Sequence, residues 1–592
     1  MLRQTHLAGD VKDDFDPEDA TLQASTAEAD LPILQADGSD RATAEPPGGP
    51  DTGTSGGRRP TLAVVGATML FFAMCMSFLI NTPTGIGPDE PYQFDRVIAA
   101  RHGQVILDPE EINVSKGARG IERVYIKTQM RRGSASWAEF QPLLRDERPS
   151  LAELGGNARS PNRDVSNYMT QHPPLYYGLM GGLTWLIPGA EDMPADILFL
   201  IVRMFNVLLL LPLPVLFWFS ARQLVGGSPI ATAAAFLPLV IPGLARVSAT
   251  VNNDNLAIVL GAAVVALCAK VLRGDRSVRT AVLLSLLAVA GSLTKGTILF
   301  ILVLIPIAYG AQALRARRWP APKVLGILAV GALAAGAWWL RNLLLFGAVQ
   351  PDAWGKQLAR ANGGVRQPGV PVDMDHYWQT VYVAVPSRFF GALGLHEPPQ
   401  LPIAMIWVLS ILVVVCFPIA IAILAGRRWD LVILFAVPAA ALVMICYQAY
   451  LHFQTYLAIP GLQGRYVYPA VFGLVFPIAV VAGLVLGRWR RWAPMLIAAG
   501  GLVVSGWAVY TSVEYTWLHR GEQLQPSNWA RAFRTLAGFF PLPGAAAATL
   551  AVLVAGLVVA GTVLTAVACG RDSNGRALQD PPVELARPPV YA

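Results

Sequence analysis

The chain alternates long apolar runs with short polar interruptions. Residues 61–80 carry no charge, and at about 1.5 Å of rise per residue they cover the roughly 30 Å hydrocarbon core of a bilayer. Further runs at 175–188, 197–220, 229–247, 256–272, 281–293, 297–313, 324–346, 401–424, 431–450, 467–486, 494–511 and 545–568 bring the candidate spans to thirteen. They extend for about 17 to 25 residues and lack the strict alternation of barrel strands. The pattern therefore predicts an all-α polytopic membrane protein with about 11–13 transmembrane helices.

The polar stretches set the organisation. Residues 1–58 have no sustained apolar period and are rich in Asp, Glu, Ala, Gly, Thr and Pro, which predicts a disordered tail. No apolar core lies near Met1, so this is not a cleavable signal peptide. Arg58 and Arg59 precede the first span and place the tail in the cytoplasm. Residues 59–570 form the membrane domain, and 571–592 form a second cytoplasmic tail. Within the domain, 82–171 is the first extracytoplasmic loop. It is too long for a connector and reads as a structured cap, with 117–163 irregular.

Basic clusters at 270–279, 315–323, 427–428, 488–491 and 571–576 mark cytoplasmic loops. Four candidate spans lie between the long loop and the cluster at 270, where orientation requires an odd number. One of them is re-entrant, broken or not a span; the segment after His172 and the pair flanking Asn252 to Asn255 are the suspects.

Composition agrees: 54% of residues are hydrophobic and 14% charged, and the mean hydropathy of +0.46 excludes a soluble globular protein. The net charge of +7 sits in short loops between apolar runs, so it reports orientation and not nucleic-acid binding. The five cysteines fall in or beside apolar runs with no metal-ligand spacing, and no disulfide framework is expected. No phosphate-binding loop or dinucleotide fingerprint is present.

Candidate chemistry begins seven residues past the first span, at Gly87-Pro88-Asp89-Glu90-Pro91. Glycines and prolines stop regular structure there, so Asp89 and Glu90 emerge at the interface. A helix starts near Pro91 and is expected to lie along the membrane surface. Asp89 is explained equally well as a helix N-cap and Glu90 as a first-turn acid.

Other polar groups sit at the mouths of later spans. His172 opens the run His172-Pro173-Pro174-Leu175-Tyr176-Tyr177, and Asn252-Asn253-Asp254-Asn255 breaks an apolar region with four polar side chains that need partners. That break reads as a capped turn or as part of a site. Lys295 lies at a helical tip, where it is either solvated or aimed at a phosphate. Arg341, beside Asn342, reads first as a snorkelling side chain. In Gln463-Gly464-Arg465-Tyr466 the glycine permits close backbone approach and the guanidinium can grip two phosphate oxygens; the alternative is an interfacial Arg/Tyr anchor. Arg388, in Ser387-Arg388-Phe389-Phe390-Gly391, is a weaker version of the same pattern.

In this order, Asp89-Glu90-Pro91, His172 to Tyr177, Asn252-Asn253-Asp254, Lys295-Gly296, Arg341-Asn342 and Gln463 to Tyr466 resemble a family of bacterial membrane proteins, domain of unknown function 2142. That family in turn resembles the GT-C glycosyltransferases that use lipid-linked sugars. The resemblance covers roughly 61–568. The common pattern has histidine where this chain has Gln93.

What the resemblance implies is a GT-C-like architecture at the plasma (inner) membrane. A site facing out of the cytoplasm would transfer sugar from a polyprenyl-phosphate donor to a cell-envelope glycan or lipid acceptor. Asp89 is then the general base with Glu90 its alternate, and His172 orients the acceptor. Arg465 and Lys295 hold the phosphate, with Tyr466, Gln463, Asn253, Asp254, Arg341 and Arg388 around the substrate. It leaves a divalent metal open, with Asp89, Glu90 and Asp254 as ligands. Two other readings compete: a transporter or flippase for a lipid-linked precursor, with 252–255 as substrate contacts, and a scaffold in which the acidic pair is only a cap.

Overall fold

In the computed structural model, residues 58–570 are described except for 110–112, 127–134, 160–165, 354, 356–364, 367–368, 392, 394–399 and 460. The two expected tails lie outside the described residues, apart from the Arg58 backbone. So do the basic cluster at 571–576 and parts of the stretch 117–163.

The uncharged first run becomes α1 (Arg58–Asn81). After a tight turn, α2 (Glu90–Arg101) follows, and α3 (Lys116–Tyr125) sits in the long loop, capped by the Ser115 hydroxyl. The loop is thus more regular than expected. Nor does α2 lie on a surface: ten of its twelve residues are buried. Of its polar side chains, which suggested a wet face, Asp95 is satisfied by the loop instead. The Asp95 carboxylate accepts from the Ser115 amide at 3.0 Å, Arg159 Nη1 at 3.1 Å and Asn167 Nδ2 at 2.7 Å. That bonding converts an amphipathic helix into an interior one.

Next come α4 (Leu175–Trp185), α5 (Ala195–Leu210) and α6 (Leu213–Val225). Helix α4 is eleven residues long, about half of what crossing a bilayer needs. The segment 229–248 is broken into two short α pieces around a 3-10 turn. Then follow α7 (Asp254–Leu272), α8 (Val278–Ser292), α9 (Leu304–Arg315) and α10 (Pro322–Phe346).

This geometry resolves the odd-number problem. Arg203 of α5 and the Val251 amide just before α7 both bond Glu90, so the two helices start at one end of the bundle and run away from it. The chain between them must return, and it does so through 229–248. Helix α4 is therefore the segment that does not span.

The remainder is α11 (Met374–Phe390), α12 (Ile403–Ile423), α13 (Arg428–Tyr456), α14 (Phe472–Leu486), α15 (Ala493–Trp517), α16 (Pro526–Phe539) and α17 (Gly544–Gly570). Among the described residues, nine stretches are long and apolar enough to cross a membrane, one of them the 46-residue run Phe472–Trp517, which holds both α14 and α15. Large apolar side chains such as Leu333, Leu344, Val414, Val443 and Val552 are exposed along them, as a lipid-facing surface requires. The protein is an all-α, multi-pass membrane protein.

Where α1 meets α17, a Cβ on Gly66 would overlap the Gly561 carbonyl and the Thr565 hydroxyl. Small residues let the backbones approach, as is usual between helices in lipid. The clusters at 270–279, 315–323 and 427–428 share the end of the bundle opposite Glu90: Arg276 donates to the Gln312 carbonyl, and Arg315 pairs with Asp430.

Candidate active site

Asp89 holds the N-cap position of α2, but its side chain caps nothing. Its backbone is left-handed, at φ 56° and ψ 16°, which costs an L-residue roughly 1–2 kcal/mol. The carboxylate turns to the loop and to distant elements. Oδ1 accepts from the Tyr168 hydroxyl at 2.7 Å, and Oδ2 lies 3.5 Å from Arg465 Nη2. A capping role therefore leaves this geometry unexplained, and backbone strain of this kind gathers at functional sites.

From Arg465 the contacts continue inward. Its Nε donates to Asp254 Oδ2 at 2.9 Å, and Lys295 Nζ donates to Asp254 Oδ1 at 2.7 Å. Arg465 Nη1 reaches Gln463 Oε1 at 3.2 Å. The Tyr466 ring lies 4.8 Å from Lys295 Nζ and 5.5 Å from the Arg465 guanidinium. Burial opposes the Arg465 charge, but Tyr466, Asp254 and Asp89 outweigh it and hold its pKa above the ordinary value. Gly464 is where this segment must be bare, because a Cβ there would collide with the Phe389 backbone.

The polar break divides its labour. Asn252 donates to the Pro88 carbonyl at 3.3 Å and accepts from the Asp254 amide, tying the turn before α2 to the start of α7. Asn253 contacts Gln93 at 3.5 Å and the Tyr177 hydroxyl at 3.4 Å, and that hydroxyl donates to Gln93 at 2.7 Å. Gln93 is thus a hydrogen-bond relay where the common pattern has histidine. Asn255 is bound to Asn206 and to the carbonyls of Val247 and Thr250.

Three of the expected residues are elsewhere or otherwise employed. Glu90 is not an alternate base. It is fully buried, and its oxygens accept from Arg203 Nε at 2.7 Å, Arg203 Nη2 at 2.6 Å, the Val251 amide at 2.8 Å and the Gly87 amide at 2.7 Å. All four lone-pair directions are used, so no substrate proton has a place to go. Arg341 pairs with Asp108 at 2.9 Å, outside the cluster, with its guanidinium over Trp338. Arg388 donates to the Leu462 carbonyl at 3.2 Å and braces the segment before Gln463.

Asp89, Glu90 and Asp254, the expected metal ligands, are not gathered around one point among the described residues. Glu90 is closed by Arg203 and Asp254 by two cations. Among the described residues, no group of three or more His, Cys, Asp or Glu side chains is placed to hold a metal ion.

Among the three carboxylates only Asp89 keeps solvent access, with a third of its side chain exposed against 3% for Asp254 and none for Glu90. His172 stands close by. Burial and the Lys295 charge push its imidazole down to about 3, so it is neutral at physiological pH. Below about 6.5 the unfolded chain takes up a proton that the folded site resists, so this histidine lowers stability as pH falls from about 6.5 toward 3. His172→Gln is expected to flatten the acid side of the pH profile of thermal melts in detergent; an unchanged profile would contradict this.

Sequence reasoning gave no individual role to Tyr168 or Tyr177 and passed over Arg203. A lone arginine inside the apolar run 197–220 was the available signal for Arg203, since such a charge needs a partner.

The model of DUF2142, described as a predicted membrane protein, matches residues 70–474, more than half of the chain. The chain belongs to the DUF2142 family. The matched segment contains every residue of the Asp89 cluster, whereas α15 to α17 lie beyond it. Two solved structures of the Archaeoglobus fulgidus oligosaccharyltransferase show a distant likeness to this DUF2142 protein. The complex with zinc and sulfate is 15% identical, covering 58% of this chain and 44% of the other at a TM-score of 0.31. The form tethered to an acceptor peptide with the NVT sequon is 12% identical, covering 76% and 54% at a TM-score of 0.34. This chain thus spans about half the length of the chains it matches. A likeness that loose carries no mechanistic weight. No curated protein matches the chain.

Proposed function

We propose that the protein is a membrane glycosyltransferase that moves a sugar from a polyprenyl-phosphate donor to a cell-envelope glycan or lipid acceptor. What supports this reading most is the meeting of Asp89 with Arg465, 376 positions apart, in one cluster at the end of the helical bundle.

In this reading Asp89 is the general base. It takes the proton of an acceptor hydroxyl as that oxygen forms a bond to the anomeric carbon. The bond from that carbon to the phosphate oxygen breaks, and its electron pair leaves with the polyprenyl phosphate. Displacement from one face inverts the anomeric centre. Arg465 and Lys295 stand where the growing negative charge is met, and Tyr466 holds both cations by its ring. The loose 3.5 Å contact between Asp89 and Arg465 is one a substrate can part, whereas the shorter Tyr168 bond keeps the base oriented. Lys295 Nζ keeps donors beyond its bond to Asp254.

The site opens away from the cytoplasm in this account, at the plasma membrane. The described basic clusters at 270–279, 315–323 and 427–428 lie at the opposite end, as the positive-inside rule requires of a cytoplasmic face. That the polar break 252–255 sits at the start of α7, and not in mid-helix, favours this reading over a transporter.

The direct test is transfer by the purified protein in lipid vesicles from synthetic polyprenyl-phosphate sugars, alongside envelope glycan profiles of a deletion strain. No transfer with any donor and an unchanged profile would overturn the proposal. Arg465→Ala is expected to weaken donor binding by about tenfold or more, since a charge-assisted contact contributes about 1.5–3 kcal/mol. Donor titration by intrinsic fluorescence measures it.

A further inference from the structure

Arg96 is the anomaly of the buried interior. It is 1% exposed, yet its Nε and Nη1 have no hydrogen-bond partner among the described residues. Its neighbour Asp95 is already engaged with Ser115, Arg159 and Asn167. What Arg96 does have is one bond from Nη2 to the Val105 carbonyl at 3.1 Å and the face of Tyr177, 4.7 Å from its guanidinium. Burial disfavours this guanidinium, and the Tyr177 ring together with the Asp95 charge, which is itself shared with Ser115, Arg159 and Asn167, offsets that only in part.

A second enclosed polar atom without a partner lies nearby. His172 Nδ1 has none among the described residues; His172 lies five positions before Tyr177 in the chain, and the Lys295 and Arg96 charges both act on its ring. Tyr177 connects the two regions. One face of its ring carries Arg96, while its hydroxyl end meets Gln93 and Asn253, the residue preceding Asp254.

We infer that Arg96, His172 and Tyr177 form an anion subsite beside the Asp89 cluster, which takes a carboxylate or phosphate group carried by the substrate. That the anion belongs to a substrate rests on the glycosyltransferase reading; the anion itself rests on the unpartnered nitrogens of Arg96 and His172 and on the Tyr177 ring beside Arg96. The guanidinium supplies two charged donors and the neutral imidazole a third. The ring of Tyr177 packs against the guanidinium, and the consequence is a preference for acidic sugars or phosphorylated acceptors over neutral ones.

The experiment needs no transfer reaction. The full-length protein in detergent is melted against rising inorganic phosphate and, separately, glucuronate, with chloride at matched ionic strength as the control. A saturable rise in midpoint is expected for the wild type. A response to phosphate alone identifies a phosphate ligand, and a response to glucuronate alone identifies a sugar carboxylate. Arg96→Met is expected to weaken that binding by about tenfold or more while leaving the ligand-free midpoint equal or higher, because it removes a buried charge that its neighbours compensate only in part. A merely structural arginine would lower it.

His172→Phe, which leaves the arginine in place, is expected to weaken binding as well and serves if Arg96→Met does not fold. No midpoint shift in the wild type, or wild-type affinity for both probes in the variants that fold, overturns the inference. Loss of the transfer activity proposed above, with anion binding intact, would sink only that reading.

Discussion

Asp89→Asn is expected to lower sugar transfer by about 10²- to 10⁴-fold while the protein stays folded and still binds its donor. The substitution keeps the shape and can retain the contact to Tyr168, but an amide cannot take a proton. Asparagine also tolerates the left-handed backbone that this position requires, so the fold has no reason to respond. The measurement is initial transfer rate in vesicles set against the melting midpoint of the same preparation. Turnover at the wild-type rate would remove Asp89 from the chemistry. Loss of the fold together with the rate would return it to the role of a cap. A second arm uses Tyr168→Phe. It frees Asp89 Oδ1 without removing the base, so a loss much smaller than that of Asp89→Asn is expected.

How much of this was legible in the chain depends on the range of the interaction. The membrane spans were legible because a bilayer imposes a length and an apolar composition on each run independently of its neighbours. The positions of Asp89, Asp254, Lys295 and Arg465 were legible as interruptions of that pattern, since a polar group at a helix mouth needs a reason. Their joining was not. Nothing in the local sequence says that Lys295 and Arg465 share the two oxygens of Asp254 or that Glu90 is locked to Arg203. Periodicity misread α2 for the same reason. Its polar side chains suggested water, whereas Asp95 is satisfied by loop residues far along the chain. The brevity of α4 could be seen, but which of four candidates fails to span follows only from the shared anchoring of α5 and the start of α7 at Glu90.

The adjacent acid separates structure from chemistry. Glu90→Ala is expected to cost about 3–5 kcal/mol of stability, the range for breaking a buried ion pair by removing one partner. Arg203→Ala should cost about as much, because Arg203 also donates to the carbonyls of Thr82 and Pro83. The double variant should lose clearly less than the two losses added together, since each single change strands the other charge. Melting of the detergent-solubilised variants measures all three. If Glu90 were the base, its conservative Gln variant would remain folded and lose transfer alone. In the proposed reading it is a positioning residue: with Arg203 it pins Gly87, Thr82, Pro83 and Val251 together, beside the turn from which Asp89 faces Arg465. Transfer by Glu90 variants should therefore fall in step with the folded fraction, whereas in Asp89→Asn it should fall with the fold complete. A Glu90→Gln protein that melts like the wild type and transfers nothing would reverse the assignment of the two acids.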